Sequence, residues 1–171
     1  MIVLLQIFSI VTIAAYLFRW RAGVKRRNVQ SWDSLLARLR QDWSARELSE
    51  QFLWKEGLAA TPEDAWQRME GPTGLWAMYQ NAQVMQEMAD FAQRNCPDVD
   101  KLLIETLHSD AMQIRMLVVL ALAQYGFTQA SEGVRVNAFR TAALYSGMAA
   151  RMTRLLQEHF AVILPDFVDA M

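Results

Sequence analysis

The stretch DVDKLLIETLHSDAMQIRMLVVLALAQY, residues 98–125, decides the fold class. Within it Ile104, Leu107, Ala111, Ile114, Val118, Ala121 and Tyr125 recur in alternating steps of three and four. That spacing puts all of them on one face of an α-helix, as in a coiled-coil seam; a half-buried strand would need alternation by two. From Met116 to Ala123 the chain is apolar all round, so this helix is expected to be the central one of its domain. Those eight residues are too few to span a bilayer by themselves. Gly126 is the expected stop.

The same spacing extends to either side. Thr73 to Arg94 carries Leu75, Met78, Ala82, Met85, Ala89 and Ala92 as its seam, and Asn95 to Asp98, with Pro97, reads as a turn. A third helix is predicted from Thr128 or Ser131 to about Leu164, just before Pro165. Its stripe is Ala138, Ala142, Tyr145, Ala149, Met152 and Leu156, whose small residues permit close approach to a neighbour. Short connections between long helices imply antiparallel neighbours. The expectation is an up-down bundle of three long helices over 73–164, with the tail Asp166 to Met171 loose.

Residues 31–71 read as short accessory helices covering one open face of that bundle. Ser31 is placed to cap a helix through about Arg40. Ser44 followed by Glu47 forms a capping box for a helix to about Glu56, stopped by Gly57. Thr61-Pro62-Glu63-Asp64 combines a capping hydroxyl, a first-turn proline and acids on the helix dipole. Gly71-Pro72 ends or bends that helix.

Ahead of the domain, Met1 to Phe18 contains no charged side chain. As a helix it would reach about 27 Å, close to the hydrocarbon thickness of a bilayer. A cleaved secretory signal would carry its basic residues before the apolar run; here Arg19-Trp20-Arg21 follow it. A core helix seldom needs so long an uncharged terminal run. Residues 1–20 are therefore expected to be a single transmembrane anchor and 21–30 a basic juxtamembrane linker. Arg19, Trp20, Arg21, Lys25, Arg26 and Arg27 flank the anchor, with Tyr16 and Trp20 at the level of an aromatic belt. Basic residues beside a span favour the cytoplasmic side, which puts the N-terminus outside and residues 31–171 in the cytoplasm. A topology signal accounts for the cluster; binding to anionic lipid is the alternative.

Composition limits the function classes. The chain has 171 residues, 53 % hydrophobic and 20 % charged, with seven Gly and four Pro. That turn-poor composition argues against an all-β fold. With Cys96 alone, no intrachain disulfide and no thiolate metal cage can form. Removing the five cations of Arg19–Arg27 from the 17 leaves twelve against all 18 acids, or −6 for residues 28–171. A domain of that sign is a poor match for the phosphates of nucleic acid. The helix–turn–helix outline of Ala45 to Met69 would also put acids at the end that should face the major groove.

No catalytic constellation is legible, and no cofactor is expected. Glu105 and His108 form one Glu-x-x-His pair, but a di-iron bundle needs two such pairs and two more Glu, so they are weak metal candidates. Cys96 has no histidine close in sequence. Arg135, Arg140, Arg151 and Arg154 read as a solvated face of the third helix. Six tryptophans, Trp20, Trp32, Trp43, Trp54, Trp66 and Trp76, fall every ten to twelve residues and none follows. Each is expected to anchor a short helix to the bundle; the alternative is that Trp32, Trp43, Trp54, Trp66 and Trp76 form a partner-binding face.

The leading expectation is a membrane-tethered, non-catalytic interaction or assembly protein, with the lipid bilayer and a protein partner or second copy as its contacts. Two alternatives stand beside it. One is a membrane-bound enzyme or ligand binder with a pocket between helices, using Glu87, Glu105, His108, Asp110 and Arg115. The other is a small subunit of a membrane complex, whose Gln6, Ser9 and Thr12 bond a neighbouring span.

Overall fold

The structure is a computed structural model that describes residues 31–40, 61–129 and 131–171. The expected anchor, its basic flank, the Ser44 capping box, and Trp20, Trp43 and Trp54 lie outside the described residues. Among the described residues there are six helices and no strand: α1 (Trp32–Leu36), α2 (Pro62–Arg68), α3 (Pro72–Asn95), α4 (Lys101–Thr128), α5 (Glu132–His159) and α6 (Leu164–Ala170).

The local signals set most of the starts. Thr61 caps α2: its hydroxyl accepts the Asp64 N–H, while the Asp64 carboxylate accepts the Thr61 N–H and hydroxyl. Those hydrogen bonds, from the Thr61 hydroxyl first, hold the exposed Asp64 carboxyl below its usual range. Asp100 caps α4 by accepting the Leu102 N–H at 2.9 Å. Between α2 and α3 the chain turns through Glu70 and Gly71, both at positive φ.

Four boundaries differ from the expectation. Gly126 does not stop α4, which continues to Thr128 and ends where Gln129 takes positive φ and donates its N–H to the Tyr125 carbonyl. A helical glycine costs only about 1 kcal/mol, which the flanking turns outweigh. The third long helix ends at His159, not Leu164; Phe160 caps it, a turn follows, and Pro165 lies in the first turn of α6. Proline blocks a helix from running through but suits the start of a new one. Consequently the tail is not loose: Asp166 to Ala170 are helical and Phe167 is buried. Finally, α1 stops at Leu36 instead of reaching Arg40. Arg40 instead gives its N–H to Asn81 Oδ1 (2.8 Å), and its carbonyl accepts from Asn81 Nδ2 (3.1 Å). The side-chain amide thus satisfies backbone groups that a longer helix would have used.

The seams of all three long helices point inward. Leu75, Met78, Met85 and Ala89 of α3, Ile104, Leu107, Ile114 and Val118 of α4, and Ala138, Tyr145, Met152 and Leu156 of α5 are all buried. Helix α4 packs on both α3 and α5. Between α3 and α4, Asp90 meets His108 and Tyr79 meets Arg115. Between α4 and α5, Asp110 meets Arg151 and Gln124 meets Asn137. In both sets one number rises as the other falls, so consecutive long helices run antiparallel. Helix α2 lies against α5, and α6 against α5 and α1.

Deep in this packing, Tyr145 is fully buried, accepts from Asn81 Nδ2 at 2.9 Å and points its hydroxyl at the Met171 sulfur. Burial pushes its phenol up to about 12, while the hydrogen bond from Asn81 works in the opposite direction.

Candidate interaction surface

Helix α4, expected to be the central one, packs on both other long helices. It also keeps an exposed outward face. Three packed helices leave each with an outward third, and the apolar segment from Met116 to Ala123 fills that third of α4 as well as its inward face. Among the described residues nine large hydrophobics are exposed, and six of them, Leu102, Met112, Met116, Val119, Leu120 and Phe127, belong to α4. Met112 and Met116 keep over 60 % of their surface in water, and Phe127 keeps 91 %. Scattered exposed apolar residues are ordinary; a run of them along one helix is not.

The run has a shape. Met112, Met116, Val119, Leu120 and Ala123 line an open groove of about 580 Å³ together with Tyr79 and Arg115. Tyr79 comes from α3, so the groove follows the seam between α3 and α4. Its aromatic rim continues into Trp76, which stacks on Tyr79 with ring centroids 5.1 Å apart and planes within 3° of parallel. Arg115 donates to the Tyr79 hydroxyl at 3.1 Å and sets its guanidinium 5.0 Å from the Tyr79 ring centroid. Its Nε is buried and makes no hydrogen bond.

By length and composition α4 also qualifies as a membrane span, with 22 % of its most apolar window buried. Its apolar window therefore reaches beyond the eight residues from Met116 to Ala123. One of its faces nevertheless packs on α3 and α5, and it carries the ion pair from Arg151 to the nearly buried Asp110 at 2.7 Å.

The tryptophans in the described residues have different environments. Trp66 is buried against Tyr125, with centroids 5.7 Å apart. Trp32 is half-buried between Phe91 and Phe160, at 5.0 and 4.9 Å. Trp76 is exposed and belongs to the groove's rim. Trp32 and Trp66 thus pack against aromatic neighbours, whereas Trp76 is largely open to solvent.

The polar candidates are dispersed. Glu87 accepts two hydrogen bonds from Arg38, at 2.5 and 3.1 Å, which raise the Arg38 pKa. Asp110 pairs with Arg151, and His108 Nε2 lies 3.0 Å from Asp90 Oδ1. Glu105 is exposed. Of the α5 arginines, Arg135 pairs with Glu63 and Arg154 with Glu158, while Arg140 is exposed. Glu87 and Asp110 thus pair with different arginines and Glu105 is exposed, so these carboxylates do not share one ion-pair network. Among the described residues no group of three or more His, Cys, Asp and Glu is placed to hold a metal ion.

One pairing was invisible in the sequence. Cys96 Sγ lies 3.9 Å from His159 Nδ1, across 63 residues of chain. The antiparallel return of α5 brings the end of that helix back beside the end of α3. The exposed groove was also missed, although its signal was present: Met112, Met116, Val119 and Ala123 fall off the inward seam of α4.

Comparison with family models, curated proteins and solved structures finds no match for this chain.

Proposed function

We propose that this chain is a non-catalytic interaction or assembly protein, held at a membrane by Met1–Phe18, whose docking surface is the outer face of α4. The observation that carries the reading is the continuous exposed apolar run from Met112 to Phe127. That run extends about 22 Å along the helix. Fully covering a Met, Val or Phe side chain contributes roughly 1.5–3 kcal/mol, so a partner would find substantial stabilisation there. The dispersal of the polar candidates supports the non-catalytic side of the reading.

In its finer form, the three long helices are an up-down bundle behind a single N-terminal span. The cations Arg19 to Arg27 hold the span with its N-terminus outside and the helical domain in the cytoplasm. The apolar N-terminal run and the basic residues after it support this topology.

Two measurements test the reading. Full-length protein should sediment with membranes in a detergent-free high-speed spin; recovery of the uncut chain in the supernatant would remove the tether. After gentle solubilisation it should run as a complex larger than the monomer, and Met116→Glu should release the monomer. A wild-type protein that is monomeric in several detergents, or a complex indifferent to Met116→Glu, would remove the docking role.

A further inference from the structure

We propose that the groove between α3 and α4 receives an amphipathic helix of a second, different protein, whose apolar seam carries one carboxylate that pairs with Arg115. This rests on the docking role of the α4 face and names the chemistry of its occupant.

Spacing points to a helix. Met112, Met116, Val119 and Ala123 stand at i, i+4, i+7 and i+11, so they line about 16 Å of groove, three helical turns. This is the step pattern by which α3 and α5 already seat on the other faces of α4. Among the described residues no strand offers an edge for an extended peptide.

Charge points to a carboxylate. Arg115 is the one ionisable cation of the groove lining. Its hydrogen bond goes to a neutral phenol, its Nε has no partner, and no carboxylate among the described residues forms an ion pair with it. From Ala111 to Ser131 the chain contains no Asp or Glu, so α4 cannot neutralise it from within this face. Covering the groove with a purely apolar ligand would strip water from a charge that no described carboxylate compensates.

The same charge disfavours other occupants. A second copy crossing near Met116 would bring two Arg115 side chains together with no acid between them. A bilayer would have to take Arg115 from the middle of the apolar face, whereas surface-bound helices keep cations on the opposite, polar face.

The test places a photo-crosslinking amino acid at Val119 of the full chain in its native membranes. The expected adduct joins a different protein, and its cross-linked peptide has helical apolar periodicity with an Asp or Glu within one turn. Arg115→Glu should lower adduct yield at least about tenfold, and Arg115→Lys should keep it within about threefold. Exchanging the partner's acid for Lys should restore the yield in the Arg115→Glu background, which also shows that this variant folds. Adducts to a second copy, adducts to lipid, or a yield indifferent to Arg115→Glu would overturn the proposal. If Met116→Glu dissolves a complex that Arg115→Glu leaves intact, the occupant assigned here is wrong while the docking role stands.

Discussion

At the scale of single residues, the most tightly enclosed of the described glycines is Gly74. A Cβ there would lie 2.1 Å from the Met69 carbonyl oxygen, a backbone atom that cannot rotate away. Gly74→Ala should therefore force the α2–α3 corner open and cost about 3 kcal/mol, read as a lowered denaturant midpoint. Gly126 is the opposite case: nothing stands within 4 Å of its added Cβ. Tyr145 supplies a pH-dependent effect. The unfolded chain gives up this phenolic proton near 10 and the folded chain near 12. The folded state therefore holds the proton more tightly. Stability from this group is intact below pH 10 and is lost as pH rises through 12. The loss amounts to about 3 kcal/mol over the two units. Unfolding of wild type and Tyr145→Phe across pH 9–12 should show the slope in the first and its loss in the second.

At the scale of elements, caps and seams were legible because they act over three or four residues. Thr61 and Asp64 form their box whatever α2 packs against. The seam residues of α3, α4 and α5 are buried where periodicity placed them, except Tyr125, which is half-buried against the core. Helix ends were less legible because competing partners decide them. Asn81 takes the Arg40 backbone that would have extended α1, and Gln129 takes over the stop expected at Gly126. Helix α6 falls on the stretch expected to be loose because its seven residues, Pro165 among them, carry little periodicity of their own. Phe167 anchors it, so Phe167→Ala should cost about 3–5 kcal/mol in thermal or chemical unfolding.

At the scale of the whole molecule, α4 faces two ways. Its inward seam holds the domain together, and its outward run is exposed and is the face proposed to dock a partner. Ile114→Ala should destabilise by about 2–5 kcal/mol. Replacing Met112, Met116 and Val119 together with Gln should shift stability by less than about 1 kcal/mol. The same triple variant should abolish any complex that forms through the face. Thermal melts beside size-exclusion profiles would separate the two roles; a triple variant as unstable as Ile114→Ala would show that the face is structural.

The sequence by itself determined that the described domain is helical, which face of each long helix turns inward, and where α2 begins. These follow from 3.6-residue periodicity and from caps that bond within one turn. Only the tertiary structure decided which apolar residues stay uncovered, since exposure depends on where neighbouring helices stop. It also decided that Cys96 meets His159, that Asn81 joins Arg40 to Tyr145, and that Arg115 lies unpaired by any described carboxylate in an apolar groove. Those contacts join residues dozens of positions apart, and no local rule relates them until the chain has folded back on itself.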